Sequence, residues 1–150
     1  MKLLGQSLGT KDLLHLIPRI LVVFIIGQTL PFKYSGHPDS VWIFEQLGWE
    51  PWGRYLIALL ETSSIILLLT RWYILGAIMS LSLISAANFM HFTRLGFDVN
   101  GDEGYLFQMS IVVILSSLMI IIVWNRDRSK KQKTVFQFDI EVDSEEEIES

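Results

Sequence analysis

The sequence predicts an all-α fold: an integral membrane four-helix bundle with a short amphipathic helix in its first outer loop. Three observations predict it. Apolar residues make up 51% of the 150, and mean hydropathy is +0.41, higher than a soluble domain of this size usually shows. Four apolar runs lie near Leu13–Phe32, Arg54–Thr70, Tyr73–Leu95 and Tyr105–Trp124. At about 1.5 Å per residue, each is long enough to cross a hydrocarbon core of roughly 30 Å. Tyr34, Trp52, Tyr55, Trp72, Tyr73, Tyr105 and Trp124 mark the ends of these runs, where amphipathic rings favour the headgroup region.

The first run is preceded by Lys2 and Lys11, as a secretory leader would be. Arg19 interrupts it and no small-residue cleavage site follows Ile26, so it reads as a retained span. The outer loop that follows contains "SVWIFEQLG". Asp39 or Ser40 is placed to cap a short helix there, and Gly48 to end it. Val41, Trp42, Phe44 and Leu47 make that helix too apolar for water, so it is expected to lie on the membrane as a lid over the bundle.

Eight of the twelve Lys and Arg residues (Lys2, Lys11, Arg71, Arg126, Arg128, Lys130, Lys131, Lys133) fall on the side of the termini. Lys33, Arg54 and Arg94 fall on the other side, and Arg19 lies within a span. The positive-inside bias then puts both termini in the cytoplasm. Residues 1–126 form the membrane domain. Residues 127–150 form a charged cytoplasmic tail, in which a basic block suited to anionic lipid precedes an acidic block. "TVFQFDIEV" alternates like a strand, but an isolated strand is not stable, so disorder is expected for the tail. The chain has no cysteine, which excludes disulfides, thiol relays and cysteine-bound metal or iron–sulfur centres within it. No nucleic-acid partner and no metal site are expected.

An ionisable group costs roughly 2.5–3.5 kcal/mol at the centre of a span on insertion scales, so each one needs a partner or a purpose. By depth, Gln28 and Lys33 on the first span, Glu61 on the second, Asn88 and His91 on the third and Gln108 on the fourth form one outward-facing polar layer. Asn88 and His91 are i, i+3 and share a face. Pro31 is placed to swing Lys33 over Glu61. Two readings stand. Lys33 and Glu61 are a structural ion pair, with Asn88 and His91 joining helices, or the layer is a pocket for a quinone headgroup, a lipid headgroup or a partner's side chain. Near the other membrane face His15 and Arg19 are i, i+4, and Arg19 is expected to snorkel to headgroups. The serines of the spans are expected to serve helix packing.

"DVNGDEG" offers Asp98, Asn100 and Asp102 with the alternation of a calcium loop. Glu103 stands where that turn needs glycine, and Met109 where the bidentate glutamate belongs. It reads instead as a tight turn, with Gly101 and Gly104 supplying backbone freedom and the acidic and amide side chains bonding exposed amides.

With "LPFKYSGHPDSVWIFEQLGWEPWGR" after the first span, "LLE" in the second and "HFTRLGFDVNGDEGYLF" joining the third to the fourth, the chain resembles the DoxX family of small four-helix bacterial membrane proteins over Leu13 to Arg126. The resemblance carries the family's lysine before the outer loop to Lys33, its second-helix glutamate to Glu61 and its third-helix histidine to His91. It departs in Asn88, Met90, Glu103 and the long tail. It implies a bacterial inner-membrane protein that is a subunit or accessory protein of a quinone-linked membrane oxidoreductase. Such a protein would have no intrinsic cofactor, would take quinone as a possible ligand and a redox or membrane-protein partner, and would not be an enzyme on its own. The alternative is a non-catalytic scaffold or chaperone-like protein that binds another membrane protein.

Overall fold

The computed structural model describes residues 2–3, 6–7, 9–98 and 101–149. Its regular structure among the described residues is helical apart from a two-residue antiparallel pairing of β1 (Lys2–Leu3) with β2 (Gln6–Ser7). The helices are α1 (Thr10–Ser35), α2 (Pro38–Leu47), α3 (Trp52–Leu69), α4 (Tyr73–Met90), a π-helical turn (His91–Leu95) and α5 (Tyr105–Glu149). Four stretches are long and apolar enough to cross a membrane: Leu13–Ser35, Trp52–Leu69, Tyr73–Leu95 and Tyr105–Thr134. The first three agree with the runs read from hydropathy to within three residues at each end, and the fourth starts at the same Tyr105 but extends ten residues past Trp124.

The long helices close a ring in which α1 packs on α3 and α5, and α4 packs on α3 and α5. Inside lie Val22, Ile25, Ile26, Leu68, Ala77, Val113 and Ile120. Outside, Phe24, Leu59, Ile66, Leu115 and Ile122 are each 58–66% exposed. Apolar side chains presented outward all round the bundle require lipid as the solvent.

Hydrocarbon outside is as apolar as leucine inside, so close packing and polar contacts must join the helices. Gly76 shows how α3 and α4 meet. A Cβ there would sit 2.6 Å from the Leu68 nitrogen and 2.8 Å from the Ser64 carbonyl oxygen, so only glycine allows this approach. One turn on, the buried Ser80 hydroxyl donates to Ser64 Oγ at 3.2 Å.

Two expectations need correcting. α2 begins at Pro38 instead of after Asp39 or Ser40. Proline has its φ preset for a first helical position, and His37 Nδ1 caps the helix by accepting from the Asp39 amide at 3.4 Å. Gly48, at φ 72°, ends it as expected, and α2 packs on α1, α3 and the π-helical turn. The tail, expected to be disordered, instead continues α5 to Glu149. No glycine or proline follows Gly104, so nothing in the chain breaks the helix. The strand-like "TVFQFDIEV" is helical with it, and α5 runs about 37 Å beyond Trp124.

Candidate functional site

Polar side chains gather at the end of the bundle that carries α2. Lys33, in the last turn of α1, sends Nζ to both carboxylate oxygens of Glu61 on α3, at 3.1 and 2.8 Å, and to Thr29 Oγ1 at 2.9 Å. Thr29 spends its own hydrogen on the Ile26 carbonyl, so it accepts from the ammonium. All three donors of the ammonium are therefore used. The side chains are 16% and 5% exposed, so both charges lie inside the protein. Beside them the Tyr34 hydroxyl and Thr62 Oγ1 are 2.9 Å apart. Thr62 already donates to Ala58, which makes Tyr34 the donor.

Arg54 completes this end. Its Nε and one Nη bind Glu50 at 2.8–3.0 Å, its other Nη donates to the Lys33 carbonyl, and its guanidinium lies 4.4 Å from the centre of the Tyr55 ring. The Lys33 carbonyl belongs to the last turn of α1, where no intrahelical donor is left for it. Arg54 is 4% exposed. Counted in the sequence only among the charges of the outer side, it is the buried clasp between α1, α3 and the loop joining α2 to α3. Its i, i+4 spacing from Glu50 in "EPWGR" was the signal for this role.

Asn88 and His91 stand apart from this pair. Asn88 Oδ1 faces the Ser110 hydroxyl of α5 at 2.5 Å, a hydroxyl that is equally close to the Phe107 carbonyl. His91 opens the π-helical turn, and its Nδ1 bonds the Gly96 carbonyl at 2.8 Å while the Gly96 amide returns to the His91 carbonyl at 2.9 Å. A carbonyl only accepts, so Nδ1 carries the hydrogen and Nε2 is left as the available nitrogen. Gly96, at φ 76° and ψ −177°, holds a conformation that suits glycine alone. The His91 ring meets Phe107 edge-on at 5.9 Å, and Phe92, Phe97 and Phe107 pack edge to face within 5.7 Å of one another.

The single layer read from depth is thus two contacts, α1 with α3 and α4 with α5. No hydrogen bond or ion pair joins Glu61 to Asn88 or His91 among the described residues. Gln28 is half-buried and Gln108 exposed, and neither side chain is bonded among those residues.

No family profile, curated protein or solved structure matches the chain.

The turn between α4 and α5 uses the carboxylates of Asp98 and Asp102 internally. Asp98 Oδ1 accepts from the Glu103 amide at 3.2 Å, while Asp102 accepts from the Gly104 and Leu106 amides at 3.0 and 2.9 Å and so caps α5. Asn100 lies outside the described residues. Among those described, no group of three His, Asp or Glu side chains is placed to hold a metal ion.

At the end that carries the termini, Arg19 departs from the snorkelling expected of it. Its Nε donates to the Leu68 carbonyl at 2.9 Å, one Nη donates to the same oxygen, and the guanidinium lies 4.6 Å from the Tyr73 ring centre. Leu68 is in the last turn of α3, so Arg19 fills a vacancy at the end of that helix just as Arg54 does for α1. His15 Nε2 lies 2.8 Å from Asp127 Oδ2 on α5.

Proposed function

We propose that the chain is a DoxX-like multi-pass protein of a bacterial cytoplasmic membrane, with both termini in the cytoplasm. In this reading it serves as a non-catalytic subunit or accessory protein of a quinone-linked oxidoreductase complex. The observation that carries the proposal is the ionisable set at the α2 end. Lys33 and Glu61 are closed on each other and hold α1 to α3, while His91 keeps Nε2 for a ligand at the edge of an aromatic cluster. Such groups are costly in a span unless they serve packing or function, and the two roles divide here between the pair and the histidine. Electrons would come from a partner.

The test is quinone extraction from natively purified protein, together with respiratory electron transfer in cells carrying His91→Phe or Glu61→Gln. Bound quinone that disappears in His91→Phe supports the reading. Absence of quinone, with electron transfer unchanged in both variants, removes it.

The reach of α5 beyond the membrane supports a second reading, a scaffold that holds a soluble factor through residues 127–150 while its spans contact another membrane protein. Cross-linking pulldown with and without those residues separates the two. A partner lost with the tail, in protein that retains no quinone, favours the scaffold.

A further inference from the structure

The end of the bundle that carries the termini presents a rim of cations. Arg71, between α3 and α4, and Arg126, Arg128, Lys130 and Lys133 on α5 all have exposed side chains. Two of them rest against tryptophans. The Arg71 guanidinium lies 5.6 Å from the centre of the Trp72 ring, and that of Arg128 lies 5.3 Å from the centre of Trp124. His15 brings the two places to one level, since its ring meets Tyr73 at 6.5 Å and bonds Asp127 at 2.8 Å. An open cleft of about 400 Å³ is lined by Arg71 and Trp72.

An indole at the end of a span sits at the boundary of acyl chains and headgroups, so a guanidinium resting on it lies at the level of the phosphates. Arginine meets phosphate with two parallel N–H donors, and a guanidinium beside an indole at the end of a span stays within reach of that level. Lys130 and Lys133 follow about 9 and 14 Å beyond Trp124, where an anionic surface still attracts cations. Asp127, the acidic side chain at the exit of α5, is engaged by His15.

We propose that this rim binds the headgroups of anionic phospholipids, with Arg71 and Arg128 gripping phosphate and the lysines adding longer-range attraction. The tryptophans beside the arginines fix the rim in the plane of the membrane, which favours lipid over a soluble acidic protein.

The full chain is reconstituted in phosphatidylcholine nanodiscs containing phosphatidylglycerol, in variants that keep only Trp72 or only Trp124, the other tryptophans being phenylalanine. Quenching of the remaining tryptophan by brominated phosphatidylglycerol is compared with quenching by brominated phosphatidylcholine at equal mole fraction. A preference of about threefold for the anionic lipid is expected at low salt, falling to less than about half of that when Arg71→Gln and Arg128→Gln are combined, the remainder being the attraction of the lysines. Equal quenching before the arginines are changed, or the same preference after, would overturn the proposal. A second readout needs no substitution: lipid retained by the unaltered protein through detergent extraction should be enriched in phosphatidylglycerol at low salt and lose that enrichment near 0.5 M salt, within the range where screening shortens to a few Å. Lipid retained in bulk proportions, or a preference indifferent to salt, would count equally against it.

Discussion

At the α2 end, Lys33 and Glu61 meet with both charges inside the protein and every ammonium donor used. At the end that carries the termini, His15 and Asp127 meet at the same 2.8 Å, but with side chains 27% and 44% exposed. The separation is equal and the setting is not. The comparison teaches that distance alone does not rank these contacts. A charge held in protein within a membrane has no water to fall back on, whereas a half-exposed pair gains little that solvent would not supply. The arginines differ in the same direction, since Arg54 is 4% exposed and bonds a carboxylate and a carbonyl, while Arg19 is less buried and bonds a carbonyl and an aromatic face.

The comparison breaks most visibly at Lys33. Lys33→Met strands the Glu61 carboxylate and should cost about 3–5 kcal/mol, read as lost thermal stability in detergent. Combining it with Glu61→Leu should recover most of that loss, and a double variant as damaged as the single one would show that the charges are not coupled. Next comes the pair of arginines. Arg54→Met and Arg19→Met each remove charged hydrogen bonds worth about 1.5–3 kcal/mol, with Arg54→Met the worse because Glu50 also loses its partner. Equal melting temperatures for these two would erase the difference between the ends. Asn88→Ala should cost about 0.6 kcal/mol, typical of an interhelical polar contact in lipid, and a double-mutant cycle with Ser110→Ala measures the coupling directly. Asp127→Asn should have an effect as small as this, about 0.2–1 kcal/mol. A loss as large as that of Lys33→Met would refute the ranking.

Hydropathy made the spans legible because a helix that crosses a membrane must be apolar over its whole length, and no tertiary contact alters that requirement. The Lys33–Glu61 pair was legible for a related reason: an uncompensated charge at that depth is costly, and these two were of opposite sign and similar depth. What depth does not carry is rotation about each helix axis, and so Asn88 and His91 shared a layer with Glu61 without sharing a contact. The role of Arg54 was missed because the sequence was read for side and depth only: its i, i+4 spacing from Glu50 was visible, but its bond to the Lys33 carbonyl at the end of another helix was not. The course of α5 was obscured by composition. Charge argued for a solvated tail, while the absence of any breaker after Gly104 left the helix free to continue.

Arg19 on α1 holds the end of α3, and Arg54 on α3 holds the end of α1. The two holds are about 21 Å apart along either helix. Neither helix can slide past the other by a turn without releasing both, so the pair resists shear in either direction. A bilayer thinner or thicker than the bundle must then be met by tilting α1 and α3 together, or by deforming the lipid around them. The crossed arginines therefore give α1 and α3 a fixed hydrophobic height, against which the surrounding membrane has to adjust.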